Sequence, residues 1–289
     1  MNATTPVGGA QASPEIARSL TLGDWHINYH DQGQGEPILL IHGSGPGVTA
    51  WANWRGIIPV LAPQARVIAP DMLGFGYTRC PQERVLDPDA WVAQLIGLLD
   101  ALNIPTVSVV GNSFGGAIAL ALAHRHPERV RQLVLMGAVG LSFPISEGLN
   151  KVWGYQPSIA AMRELMGVFA YDQGLINDDL VRMRYEASVR DDVQTRFEQL
   201  FPEPRQRGVE MLALPEQALR ELPHDTLIIH GRDDKVIPLE VSERLLRLIP
   251  HAQMHVFGEC GHWVQIERAQ AFSRLLMEFL VLGRQEEQV

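Results

Sequence analysis

The chain predicts an α/β fold, a mostly parallel central sheet with helices on both faces and a long helical insertion. Three observations carry this. Short apolar runs of strand length alternate with helix-length stretches, a pattern that closes as a parallel sheet whose crossovers cover both faces. The alternation stops between Val139 and Arg207 and then resumes. Glycine-rich segments follow several of the apolar runs, where a strand must hand over to a tight loop.

In chain order, Met1 to Ser13 carry neither the basic start nor the apolar core of an export signal and read as a loose tail; without export, Asn2-Ala3-Thr4 has no reason to be glycosylated. Strand signals lie near 25–30, 37–41, 66–70, 106–110 and 131–136, with helices near 89–102 and 114–126. From Val139 to Arg207 helical segments dominate, broken at Pro144, Pro157 and Pro202. This reads as a helical cap, residues 139–207, inserted over a site in a core made of residues 14–138 and 208–289. Met162, Met166, Phe169 and Tyr171 in the cap either line a pocket or form an ordinary packing stripe. Strands resume at 225–230 and 252–257 around a helix at 239–248, and a last helix spans 267–282. There is no internal repeat or low-complexity segment.

Composition narrows the function classes. At 289 residues and 46% hydrophobic, the chain can bury a large core as one unit. No apolar run approaches the roughly 20 residues that a membrane helix needs, so no membrane partner is expected. Net charge is −9 with no basic block, which speaks against nucleic acid as a partner. The two cysteines, Cys80 and Cys260, suit a reducing cytoplasm and are not expected to pair; Cys260 reads as packing.

The chemistry starts at Gly111-Asn112-Ser113-Phe114-Gly115, which follows the apolar run Val107 to Val110 and precedes an alanine-rich helix. A strand that turns into a helix this abruptly forces the middle residue to positive φ and crowds its neighbours, which glycine tolerates. Ser113 then stands above the sheet edge as a nucleophile, with the Phe114 amide at a helix N-terminus. A base and an orienting acid follow in the order serine, acid, histidine. After the strand ending at His230 comes Gly231-Arg232-Asp233-Asp234, and after the next comes Gly258-Glu259-Cys260-Gly261-His262-Trp263. We assign the base to His262 and the acid to Asp234, which leads into the Lys235-Val236-Ile237-Pro238 turn, with Asp233 as the competing choice. His251, His255 and His262 lack metal-ligand spacing, and neither metal nor cofactor is expected. A glycine loop, His42-Gly43-Ser44-Gly45-Pro46-Gly47, fits neither phosphate-binding pattern and reads as an oxyanion loop, with the amides of Ser44 and Phe114 as donors.

Together with Trp51-Ala52-Asn53-Trp54 and the D-M-L-G-F-G run at 71–76, these segments resemble the meta-cleavage product hydrolases of the α/β-hydrolase superfamily, from about residue 14 to about residue 282. The likeness is greatest to members acting on 2-hydroxymuconate semialdehyde and on products with small alkyl substituents. The resemblance implies an α/β-hydrolase fold and hydrolysis of a carbon–carbon bond in a 2-hydroxy-6-oxo-2,4-dienoate left by ring opening of monocyclic aromatics. It implies Asn53, Asn112, Arg190 and Trp263 as substrate contacts, a small anionic dienoate as the bound partner, and a self-associating chain, at least a dimer. Arg190, in the helical stretch Tyr185 to Arg190, is read as a carboxylate clamp against the alternative of a solvated helix-end cation.

Two other readings stand beside this one. A carboxylesterase or a cofactor-free haloperoxidase-like enzyme would share the triad without needing Asn53 or Arg190. A non-catalytic binding protein could use the same scaffold. Dehalogenase and epoxide-hydrolase relatives carry aspartate where Ser113 stands.

Overall fold

A computed structural model describes residues 13–282. Apart from Ser13, the expected tail lies outside the described residues, and so does Asn2-Ala3-Thr4.

The chain enters through an antiparallel hairpin, β1 (Arg18–Leu22) and β2 (Trp25–Gln32). It continues through β3 (Pro37–Ile41), α1 (Ala50–Trp54), α2 (Ile58–Leu61), β4 (Arg66–Pro70), α3 (Pro88–Ala101), β5 (Val107–Asn112), α4 (Phe114–Arg125) and β6 (Val130–Met136). Asp87 and Pro88 set the start of α3: the aspartate accepts from the Ala90 amide, and proline at the first position gives up no needed N–H. β1 was not foreseen because it is a short edge strand with only Leu20 and Leu22 half-buried.

Between β6 and Asp225 no residue is in a strand. The segment holds α5 (Glu147–Trp153), α6 (Ile159–Phe169), α7 (Asp178–Ser188), α8 (Val193–Leu200), α9 (Gln206–Leu212) and α10 (Glu216–Arg220). Ser146, Ser158 and Asn177 cap the first three of these, each accepting from the amide three residues on. The sheet then resumes with β7 (Asp225–Gly231), α11 (Leu239–Leu248) and β8 (Ala252–Phe257). The expected single terminal helix is instead α12 (Val264–Glu267) and α13 (Ala269–Met277), followed by a π-helical turn at Glu278–Leu282. Arg268, at φ −125° and ψ 33°, breaks the first from the second.

The eight strands lie in the order β1-β2-β4-β3-β5-β6-β7-β8. Every pairing from β4 to β8 is parallel, and only the β1–β2 and β2–β4 pairs are antiparallel. The period-2 alternation of side chains divides the core into two layers. Leu39, Ile41, Val109, Leu133 and Leu135 face one layer, with Leu98 of α3 and Ile118 of α4. Ile38, Leu40, Val110, Val134 and Ile229 face the other, with Trp54 of α1 and Phe272 of α13.

Register decides where the site can be. Ile41 is paired with Gly111, Asn112 with Met136, Met136 with Ile229, and Gly231 with Phe257, so these strands end on one common edge. The loops after β3, β5, β7 and β8 therefore gather there, at the C-terminal edge of a parallel sheet, where α/β folds place their ligands.

Candidate active site

Ser113 sits between β5 and α4 at φ 54° and ψ −114°, outside the regions an L-residue favours. The turn is held by crowding. A side chain at Gly115 would put its Cβ 2.3 Å from the Ile41 carbonyl oxygen, and one at Gly111 would put it 2.3 Å from the Gly115 oxygen. The Ser113 amide donates to the Met136 carbonyl at 2.9 Å, tying the strained residue to the neighbouring strand.

Asp234 follows β7 and is 1% exposed at its side chain. Its Oδ1 accepts from the amides of Val236 and Ile237 at 2.7 and 3.0 Å, and its Oδ2 lies 2.7 Å from His262 Nδ1. Burial pushes this carboxyl up, but the His262 and His230 imidazoles and these donors outweigh it and hold the group below its ordinary value. A carboxylate at Oδ2 requires the proton on His262 Nδ1, which leaves Nε2 as a base. His230 Nε2 lies 3.0 Å from the Ile237 carbonyl and 3.4 Å from Asp234 Oδ2, so a second buried imidazole supports the same carboxylate. Burial pushes His230 down, favouring its neutral form. Asp233 is turned away: its amide donates to the Cys260 carbonyl and its carboxylate lies 3.6 Å from Arg232.

His262 is 4% exposed and is positioned from outside the sheet. Its amide donates to the Phe169 carbonyl at 2.7 Å, the Trp263 amide donates to the same oxygen at 3.3 Å, and Phe169 stacks on both rings. Glu267 closes this clamp by accepting from Gly261 through one oxygen and from Tyr171 and Asp172 through the other. Ser113 and His262 line one cavity, and His262 Nε2 has no hydrogen bond among the described residues.

His42, immediately after β3, is fully buried. It accepts from the Met72 amide at Nε2, so its Nδ1 carries the proton and donates to the Gly43 carbonyl; burial pushes its pKa down to about 4. This neutral ring anchors the Ser44 loop. Ser44 lines the cavity and its hydroxyl accepts from Trp153 Nε1 at 2.9 Å. The Phe114 amide is the first of α4 and has no intrahelical acceptor. Asn53 and Asn112 also line the cavity: Asn112 Nδ2 donates to Asn53 Oδ1 at 3.0 Å, while Asn53 Nδ2 and Asn112 Oδ1 are buried without a partner among the described residues. Trp263 lines it as well.

Arg190 does not reach this cavity, and the expectation of a substrate contact there is corrected. It lies beyond the end of α7, over the Tyr77 ring at 3.8 Å, donating to the Gly76 carbonyl and 3.6 Å from Glu15. The arginine in the wall is Arg184. The signal was present in the sequence: Val181, Arg184, Tyr185 and Ser188 recur at helical spacing, and Val181 and Ser188 are fully buried. Arg184 therefore falls on the inward stripe. It donates to the Pro46 carbonyl at 3.3 Å and has no carboxylate within ion-pair distance among the described residues. Burial pushes it down from its ordinary value, yet an arginine remains a cation at neutral pH. Of Met162, Met166, Phe169 and Tyr171, the first three line the cavity, whereas Tyr171 is 44% exposed and does not.

Among the described residues no cluster of three or more potential metal ligands occurs, both cysteines are free, and no helix is long and apolar enough to cross a membrane.

The family described as alpha/beta hydrolase fold matches residues 36–269. A 2-hydroxymuconate semialdehyde hydrolase of Pseudomonas sp. (strain CF600) is 57% identical over 270 residues, 93% of this chain and 95% of the relative. A 2-hydroxy-6-oxo-2,4-heptadienoate hydrolase of Pseudomonas putida is 56% identical over 266 residues, 92% of this chain and 96% of the relative. A solved meta-cleavage product hydrolase from Pseudomonas fluorescens IP01, a mutant complexed with acetates, superposes with a TM-score of 0.92 at 53% identity, over 93% of this chain and 99% of that one.

Proposed function

Because the chain belongs to the α/β-hydrolase family, among its meta-cleavage product hydrolases, we propose that it cleaves the carbon–carbon bond of a 2-hydroxy-6-oxo-2,4-dienoate with water. The products are 2-hydroxypenta-2,4-dienoate and a small carboxylic acid. One observation supports this over simple ester hydrolysis: the cavity holding Ser113 and His262 also holds a guanidinium without a carboxylate, Arg184, and two partnerless amide atoms of Asn53 and Asn112. An ester needs none of these. A dienoate offers a carboxylate to the first and a 2-oxygen to the second pair.

The chemistry requires such groups. A carbanion leaves only if its charge can spread, so the dienol first becomes a ketone by gaining a proton at C5 and losing one from the 2-hydroxyl, a shift that His262 assists. Arg184, Asn53 and Asn112 hold the carboxylate end and the 2-oxygen where negative charge later returns. His262 Nε2 then takes the Ser113 proton as Oγ attacks the C6 carbonyl, and the amides of Ser44 and Phe114 hold the oxyanion. The C5–C6 bond breaks, its electron pair passes into the conjugated dienolate, and the proton held by His262 goes to the 2-oxygen to give the 2-hydroxydienoate. His262 then takes a proton from water as that water attacks the acyl serine, and returns it to Ser113 Oγ as the acid leaves. Asp234 keeps the imidazole in the required tautomer throughout.

Met162, Leu165, Met166 and Phe169 crowd the cavity, which favours small groups at C6. The test is a panel of dienoates bearing hydrogen, methyl, isopropyl or phenyl at C6, followed by loss of visible absorbance. The hydrogen and methyl compounds should turn over fastest, and Ser113→Ala should bind them without consuming them. Efficient hydrolysis of simple esters with no consumption of any dienoate would select the esterase reading instead.

A further inference from the structure

A second cavity of about 340 Å³ adjoins the first and shares Val48, Asn53, Arg184 and Trp263 with it. Its other walls are largely apolar, with Leu175, Leu180, Met183 and Ile266 contributed by the helical excursion and by α12. Its charged side chains are Glu15, Arg55 and Arg184. Glu15 lies 3.6 Å from Arg190, accepts from the Thr49 hydroxyl at 3.2 Å, and its charge also reaches Arg184. Arg55 caps the C-terminus of α1, is exposed, and forms no ion pair among the described residues. At Arg184 burial is the largest influence and lowers its pKa, the Glu15 carboxylate works against that, and the Arg55 charge adds a smaller lowering. In a chain of net charge −9, two arginines against one glutamate give this cavity a local excess of positive charge, and it shares Arg184 with the cavity of Ser113 and His262.

We propose that the second cavity is the entry vestibule for the substrate, in which Arg55 draws in the dienoate anion before its carboxylate passes to Arg184. The inference rests on the dienoate reading above. The apolar walls suit the conjugated chain, and the four shared residues set the two cavities side by side. Arg55 acts on capture rather than on bond breaking, because it lines the vestibule and not the cavity of Ser113 and His262.

The test uses the dienoate with hydrogen at C6. Wild-type turnover is measured first, and its absence would remove the dienoate reading and the vestibule with it. Association is then followed by stopped flow in the Ser113→Ala background, which holds substrate unconverted. At low ionic strength, Arg55→Gln should lower the association rate constant about threefold and Arg55→Glu about tenfold, with dissociation little changed. The differences should vanish at about 0.5 M salt, where the Debye length falls to a few ångströms. Arg247→Glu, on α11, makes the same change in net charge and should leave association unaltered. If the dienoate is turned over but Arg55→Glu associates like the parent at low salt, the vestibule is overturned. An equal loss from Arg247→Glu would also overturn it, by assigning the effect to overall charge.

Discussion

Replacing Arg184 and Arg190 separately by glutamine tests which arginine receives the carboxylate. Arg184 lines the cavity of Ser113 and His262 with no carboxylate in ion-pair distance among the described residues, so a bound dienoate would make a charge-assisted contact there. Removing one member of such a partly desolvated pair costs about 3 kcal/mol. At about 1.4 kcal/mol per decade this is roughly a 150-fold loss of kcat/KM. Arg190 lies over Tyr77 at 3.8 Å and 3.6 Å from Glu15, with both members of that ion pair 22% exposed. Its loss should cost about 1 kcal/mol of folding stability and change kcat/KM less than threefold. Steady-state decay of dienoate absorbance gives the kinetics, and urea titration gives the stability. A large kinetic loss in Arg190→Gln with near-normal Arg184→Gln would refute the argument from cavity walls and restore the expectation from sequence.

Two further outcomes follow from buried carboxyl groups. Asp234→Asn keeps the packing but cannot hold the Nδ1–H tautomer of His262, so kcat should fall by about 10⁴ while the dienoate still binds; a loss below tenfold would remove Asp234 from the orienting role. Asp71, fully buried, accepts from the amides of Ala50 and Tyr77 and from Asn28, and burial pushes its pKa up to about 6. Its folded value exceeds its unfolded value, so the native state binds the extra proton between about pH 4 and 6. The stability linked to this group is full below about pH 4 and is lost as pH rises through 6, on the order of 3 kcal/mol. The difference in unfolding free energy between wild type and Asp71→Asn should therefore be larger at pH 5 than at pH 7.5, and an equal difference at both would contradict the shift.

What could be read from the chain follows the range of the forces involved. Strands at the centre of the sheet, such as Pro37–Ile41 and Val107–Asn112, are buried on both faces, so their apolar runs are almost continuous. Ser113 was legible because a strained φ of 54° and the contacts behind it require glycine at fixed distances along the chain. β1 was hidden because an edge strand answers to one neighbour and can be mostly polar. Arg184 was overlooked for Arg190 because a position beyond a helix end cannot be ranked against one on its inward stripe until the helix's limits are known, and α7 stops at Ser188. The Trp153–Ser44 and Glu267–Tyr171 contacts join residues 109 and 96 positions apart, and no local pattern announces them.

The clamp of Phe169 and Glu267 on the loop carrying His262 has a practical corollary for engineering. Exchanging the α5–α10 segment for that of a relative, in order to admit bulkier molecules, would also exchange the backbone groups at 169, 171 and 172 that steady the imidazole. A chimera should retain Phe169 to Asp172 from the recipient, or bring the donor's counterpart of Glu267 along with the graft. Otherwise altered selectivity and a misaligned base would arrive together, and a slow hybrid could be mistaken for one with the wrong pocket.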